Sequence, residues 1–473
     1  DPRGLVPMAD RKRRGRLLNI DGSDPAKNYS HHGYYADQRL VYAIGGRDIV
    51  LENSVGFRLH AMIETVGTHN VTSRGNRMTS GNYLTKFMEG GENLRHHDNW
   101  SRDVKYQVNW FGGSPDPSRK PELPRGSSNQ AYRDIKQDDD GYNAHTSGAY
   151  DILVQNNYAE YGNTLAWGNK GRQVVIDGNI ARFISDYAYG SEGGENIVFS
   201  NNISINSTAG GIVSMYWGEK LLITGNLIIT RHEPWDPEWS WWDTPAKYLG
   251  PFVRLHHGPS NPEDLYGAGS VQITGNQFVS ELSGRSVAVT IQEGRDVMIS
   301  GNKFVNGRID KVNEGRLTVM NNEFVSRLPF ADAIMNIKGR ADAVFIQGNV
   351  LRREPPVTQP ADDARKSAEA AVVPGILFTE DEDGKSTDTA AKTDSPAIVF
   401  QVSGPFFGQV QGNFVQGWQD MLAMQPVARF REQTGLIVTG NTTDGRLDVP
   451  FDGGDPARLI FKNNATIPAG LAP

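Results

Sequence analysis

One short phrase recurs along almost the whole chain. Val175-Ile176-Asp177-Gly178-Asn179 returns as Ile223-Thr224-Gly225-Asn226, Ile273-Thr274-Gly275-Asn276 and Ile299-Ser300-Gly301-Asn302. It appears again at Ile346-Gln347-Gly348-Asn349, Val410-Gln411-Gly412-Asn413 and Val438-Thr439-Gly440-Asn441. Each copy is a β-favouring run, a tight turn closed by Asn, and usually a second apolar run. Asn53, Asn76 and Asn99 are 23 residues apart, and Asn157, Asn179, Asn202 and Asn226 follow at 22, 23 and 24. Helical repeats need about 33 to 47 residues per unit, and leucine-rich repeats need spaced leucines that are absent here. Strand-turn-strand units rich in β-branched residues instead predict an all-β solenoid with about three short strands per turn.

The Asn has a mechanical reading. It tolerates the left-handed backbone of a sharp corner, and its amide can bond the same amide one rung away. Roughly fifteen rungs at about 4.8 Å each would make a rod of roughly 70 Å. A typical rung runs from Thr164 to Ile184. Thr164 to Gly168 forms a first strand, Asn169 to Gln173 a variable turn, Val174 to Asp177 a second strand, Gly178-Asn179 the corner, and Ile180 to Ile184 a third strand. This pattern resembles the right-handed parallel β-helix of the pectin-lyase-like superfamily, from about Gly33 to Asn464. The resemblance implies a carbohydrate-active protein, without selecting a reaction.

Length alone would suggest two or three domains for 473 residues, but the continuous repeat argues for one elongated domain. Residues 1–32 form a lead-in, 33–464 the β-helix, and 465–473 a tail. The 52 Gly and 25 Pro suit a turn-rich chain. No apolar run is long enough to span a membrane. With no cysteine, disulfides and thiolate metal sites are excluded. Net charge is −7, with a basic start over 1–18 and an acidic stretch over 352–395, a balance that does not point to nucleic acid.

Four insertions interrupt the count, at 112–131, 231–250, 258–269 and 352–395. Insertions in a solenoid become loops, often on its binding face. The second contains Trp235, Trp239, Trp241 and Trp242, four of the nine tryptophans. Flat sugar rings stack on such side chains, so these four are expected to contact substrate. The longest insertion carries a short helical pattern from Asp362 to Ala371.

Outward side chains of the first strands stack into one face, and its titratable residues concentrate between about the third and ninth rungs, a stretch that carries the insertions at 112–131 and 231–250. Lys86, Asn143 and Glu192 read as substrate-binding groups. β-Elimination from a uronate polymer needs a neutralised carboxylate, a base for the C5 proton and an acid for the leaving oxygen. Arg254 suits the carboxylate. His145 or His256 suits the base. Tyr189 or Tyr216 would serve as acid or base. The resemblance includes such lyases, some of which use Ca²⁺.

A glycoside hydrolase is the alternative. Gln137-Asp138-Asp139-Asp140-Gly141 resembles the paired-aspartate segment of β-helical polygalacturonase-like hydrolases, with Asp139 and Asp140 as the acid–base pair. The Gly-His-Gly expected one rung later is replaced by Tyr161-Gly162-Asn163, a departure from that family. Asp138 and Asp140 could instead hold Ca²⁺. The paired histidines His31-His32, His96-His97 and His256-His257 cannot each chelate one metal, because neighbours on a strand face opposite ways. A C5-epimerase or a non-catalytic glycan-binding rod completes the alternatives. The expected partner is a polysaccharide or oligosaccharide, and the expected location is secreted or periplasmic. No signal is visible at Asp1-Pro2-Arg3-Gly4.

Overall fold

The computed structural model describes residues 38–110, 149–231, 250–256, 269–282, 286–292, 294–312, 315–329, 333–339, 342–355, 396–402, 406–424, 434–447 and 459–467. Those residues form a parallel β-helix, and every strand pairing among them is parallel. Crossovers between parallel strands take the right-handed sense. Among the described residues there is no α-helix, and so none long and apolar enough to cross a membrane.

Three columns of inward side chains show how the coil closes. On the first face Ala166 pairs with Tyr189, then Ile212, Val253, Val289 and Ile309. On the second, Ile176 is followed by Phe199, Ile223, Ile273, Ile299, Val319 and Ile346. On the third, Ala181, Ser204, Ile228, Phe278, Phe304 and Phe324 stand in line. Nearly every one of these is buried. Phe278, Phe304 and Phe324 stack at ring separations of 5.0 and 4.4 Å. Identical positions stack on one another, so a side chain that suits one rung suits the next.

The corner asparagines form a continuous ladder. Asn157 donates its backbone N–H (3.0 Å) and its Nδ2 (2.9 Å) to Oδ1 of Asn179. Asn179 does the same to Asn202, and Asn202 to Asn226. Each Nδ2 also donates to a carbonyl of the preceding rung, as Asn179 does to Val154 at 3.0 Å. The ladder steps over the insertions without a gap, from Asn99 to Asn157, Asn226 to Asn276 and Asn349 to Asn413.

Two details of the rung differ from expectation. The left-handed residue is not the ladder Asn but the one before it: Gly178 (φ 67°), Asn201 (φ 54°), Gly225 (φ 67°), Gly301 (φ 65°). At Gly301 a Cβ would meet nothing within 4 Å, so its backbone angle is the reason for glycine there. Asn53 (φ 49°) belongs to this set, and Ser54 holds the ladder position, donating its N–H to Asn76 Oδ1 at 3.0 Å. The segment Asn169 to Gln173 is not a free turn. It lies within one continuous strand, Thr164–Asp177, and the neighbouring strand bends with a register shift between Glu192 and Gly194.

The insertions join the coil at the ends of the first-face strands. The residues flanking them are Trp110 and Ala149, Arg231 and Gly250, His256 and Gly269, and Pro355 and Pro396. Arg352 and Arg353, placed in the last insertion by the sequence, complete the third-face strand Val350–Arg353. Ala465–Thr466 still pairs with the preceding rung rather than starting a tail.

Replacing Asn179 with Ala would strand two buried donors of Asn157, at a cost of about 2 to 4 kcal/mol. Asn201→Gly at the left-handed position should change stability by less than about 1 kcal/mol. Urea unfolding of the two variants measures the contrast, and equal losses would contradict the assignment of roles.

Candidate functional site

Along the outward side of the first face, Glu64, Lys86, Asn109, Trp167, Gly190, Val213 and Arg254 occupy successive rungs of one column. A second row stands where the third strand turns into the first face: His60, Asn82, Lys105, Asn163 and Asp186, each followed by the first residue of a first-face strand. Tyr83, Tyr106 and Tyr187 are three of those next residues. The site is built from these two rows.

Its N-terminal end is an ion cluster. Glu64 is 5 % exposed and takes hydrogen bonds from Arg39 Nε and from Lys86 Nζ (3.2 Å), with His60 Nε2 at 3.4 Å. Burial alone would raise its carboxyl, but His60, Arg39 and Lys86 override that and hold it at about 2. Glu64 is therefore a fixed anion. Lys86 Nζ also lies 4.9 Å from the centre of the Tyr83 ring, and Tyr83 stacks on Tyr106 at 5.6 Å and 12°.

The next part is different in kind. Lys105 is 4 % exposed, with Nζ 4.9 Å from the Tyr106 ring centre. Burial brings its amine down to about 7, against the opposing pull of Asp186 and with a further push from Lys86. Burial also raises the Asp186 carboxyl to about 6, although the Tyr187 N–H, the Asn163 amide and Lys105 all favour its ionised form. Asn163 Nδ2 reaches Asp186 Oδ2 at 3.4 Å, while its Oδ1 accepts from Ser185 Oγ at 3.1 Å. Asn163 also bonds Tyr106, whose phenol burial holds well above its ordinary range, with Asp186, Tyr83 and Glu192 adding to the effect. An amine and a carboxyl that both titrate near neutrality thus flank a phenol that stays protonated. This is an arrangement for moving protons.

Further along, Asn109 Nδ2 donates to Trp167 O at 3.0 Å, and the Trp167 ring lies 6.4 Å from that of Tyr187. Arg254 donates from Nε to Gln292 Oε1 at 3.2 Å and from Nη1 to Tyr187 Oη at 3.4 Å.

The structure treats the sequence candidates unequally. Lys86, Glu192 and Arg254 lie on the first face. Arg254 is four rung steps from Asn109, about 19 Å at the strand spacing, so it and Lys86 cannot hold one sugar between them. Tyr189 is a correction. It is fully buried inside the coil, donates to Ile203 O at 2.8 Å, and has its phenol held far above the ordinary range by burial. The strand turns its corner at Tyr187, so Ala188 and Tyr189 are both buried and simple alternation from Tyr187 fails. Gln107 likewise points inward, donating to Tyr158 O at 2.8 Å. His96 is buried and His97 is outward, as alternation requires.

Tyr216 and His256 lie on first-face strands, but their side chains fall outside the described residues. So do Asp138, Asp139, Asp140, Asn143, His145, Trp235, Trp239, Trp241 and Trp242. Among the described residues no three His, Asp or Glu side chains converge as a metal site would require.

Sequence reasoning missed Lys105, Tyr106, Asp186 and Trp167. A signal was available: Asn82-Tyr83, Lys105-Tyr106, Asn163-Thr164 and Asp186-Tyr187 are the same two positions of successive rungs.

No protein-family model matches the chain, and no curated protein matches it in sequence. Solved structures do. The catalytic unit of a GH87 α-1,3-glucanase from Streptomyces thermodiastaticus is 11 % identical, with 96 % of this chain and 71 % of that one covered and a TM-score of 0.45. The A-module of the Azotobacter vinelandii mannuronan C-5 epimerase AlgE6 is 11 % identical, covering 98 % and 96 % at a TM-score of 0.43. DFA-IIIase from Arthrobacter chlorophenolicus, in complex with DFA-III, is 11 % identical, covering 96 % and 92 % at 0.39. At these values no residue is carried across to this chain.

Because Glu64 is held at about 2, against an ordinary value of 4.5, its pairing stabilises the fold above pH 4.5. That stability is lost as pH falls toward 2. Glu64→Gln should cost up to about 3 kcal/mol at pH 7. The difference from the parent should shrink as unfolding is measured at successively lower pH. A difference independent of pH would contradict the ionised role.

Proposed function

We propose that this chain is a carbohydrate-active enzyme that seats an acidic polysaccharide along its first face and cleaves it by β-elimination. The observation that carries this reading is Lys105 over the Tyr106 ring, with Asp186 electrostatically coupled to both. The neutral Lys105 amine takes the proton from C5 of a uronate. The electrons form the C4–C5 double bond, the C4–O bond breaks, and the departing oxygen takes the Tyr106 phenolic proton. Lys86 is the nearest cation of the outward column for the substrate carboxylate, and between turnovers Asp186 relays the proton from Lys105 back to the Tyr106 phenolate, so that base and acid regain their starting forms. Base and acid assistance are each worth about 10² to 10⁴ in rate. The fold likeness to enzymes named for a glucanase, an epimerase and a DFA-IIIase agrees with a carbohydrate substrate.

Hydrolysis is the second reading. It is favoured by one observation, the rise of Asp186 to about 6, which suits a general acid with Glu192 as the second carboxyl. A C5-epimerase would use the same proton abstraction without cleavage. An enzyme with such a substrate works where the polymer lies, outside the cytoplasm, and cell fractionation checks that placement.

On a panel of uronate polymers, the ultraviolet absorbance of an unsaturated uronate should appear together with new reducing ends. Reducing ends without that absorbance would replace the lyase with the hydrolase. Lys105→Met should lower kcat by at least about 10². The base form of Lys105 exists above its pKa, so kcat/KM should climb through about pH 7. A polymer cleaved equally well by Lys105→Met would remove the site from this corner.

A further inference from the structure

The outward column of the first face contains one unexplained juxtaposition, a tryptophan directly followed by a glycine on the next rung. Trp167 pairs with Gly190 across the sheet, and Gly190 with Val213. A Cβ on Gly190 would fall 2.4 Å from both Cε3 and Cζ3 of Trp167 and 3.0 Å from Val213 Cγ1. The six-membered ring of the indole therefore lies over the Gly190 rung. Every side chain larger than hydrogen would push it away. The φ of Gly190 is not in the left-handed range, so backbone freedom does not explain the glycine. Space for the ring does.

Unlike Trp110, which is fully buried in the coil, Trp167 faces outward and is half-buried. Tyr187 stands against it with the rings 32° apart. The Tyr187 hydroxyl in turn accepts from Arg254 Nη1, and Gln292 accepts from Arg254 Nε. A flat apolar surface is thus followed along the axis by a guanidinium whose orientation is fixed by two hydrogen bonds. Sugar rings offer flat C–H faces to aromatic surfaces, and a planar guanidinium suits a carboxylate.

We propose that Trp167, held flat by Gly190, is the platform for one pyranose ring of an acidic polysaccharide, and that Arg254 takes the carboxylate of a neighbouring unit. This subsite rests on the proposed function but is separate from Lys105. It acts on affinity and on the choice of charged over neutral glycans, not on proton transfer. Trp167 and Arg254 are positioning residues in this sense.

The test measures binding apart from chemistry. Oligouronates, and neutral oligosaccharides of the same length, are titrated into the Lys105→Met protein by calorimetry. Trp167→Ala and Gly190→Ala, each added to that background, should both weaken oligouronate binding by about tenfold. Trp167→Phe should recover part of the loss. Arg254→Gln should reduce the preference for oligouronates over neutral chains. In the otherwise unaltered enzyme, Trp167→Ala should raise KM with kcat little changed. Thermal midpoints show that each variant is folded, and Trp167→Phe serves if Trp167→Ala is not. Unchanged affinity in Trp167→Ala and Gly190→Ala, in a protein that still cleaves uronate polymers, would overturn the platform and leave the function standing. Absence of both binding and cleavage in the unaltered protein would overturn the two together.

Discussion

The asparagine ladder is the interaction on which the rest of the molecule depends. In a parallel coil the buried inward faces forbid a one-residue slip, but a two-residue slip keeps every side chain on its own face. The ladder removes that freedom. Each Asn accepts a backbone N–H and a side-chain N–H from the rung before, and donates to a carbonyl of that same rung. These groups are buried, so a slip of even two residues would leave several unpaired donors, each costing about 1 to 3 kcal/mol. The rung is therefore pinned at one corner, and length variation moves to the others. That is why the long insertions all join at the ends of first-face strands.

Pinning one corner also aligns side chains into columns, and columns make chemistry accessible to a simple stack. Glu64 with three basic partners is a fixed charge. Two rungs onward, burial pulls the Lys105 amine toward neutrality against the opposing pull of Asp186. Two rungs beyond, Asp186 is raised by the same burial. The contrast between the pinned Glu64 and the adjustable Lys105 and Asp186 is one of balance: the basic partners outweigh burial at Glu64, and burial outweighs the partners at the other two. Trp167 then uses the column differently, lying across the empty place left by Gly190.

Much of the fold was legible in the sequence because the ladder needs one residue type at one spacing. The misreading of Asn53 has a physical cause: Asn serves both the left-handed position and the ladder position, so counting asparagines cannot separate them. Ser54 fills the ladder slot at the first rung of the described residues, where its N–H still reaches Asn76. The site was less legible. Tyr189 was assigned outward by alternation, which fails where the strand rounds its corner. Lys105 and Asp186 carry no motif, because their properties come from burial in the folded corner. Trp167 drew no attention beside the tryptophan-rich insertion, since what marks it is the glycine one rung away, 23 residues along the chain.

The central claim is that Lys105 is an amine near its proton-transfer point at neutral pH. It is tested most directly by titrating ¹³Cε-labelled lysine signals by NMR, with Lys105→Arg to assign the resonance. A Lys105 signal that titrates near pH 7, and moves upward when Lys86 is replaced by Met, is the predicted result. A Lys105 signal that titrates with the surface lysines, near the ordinary value of 10.5, would contradict the account.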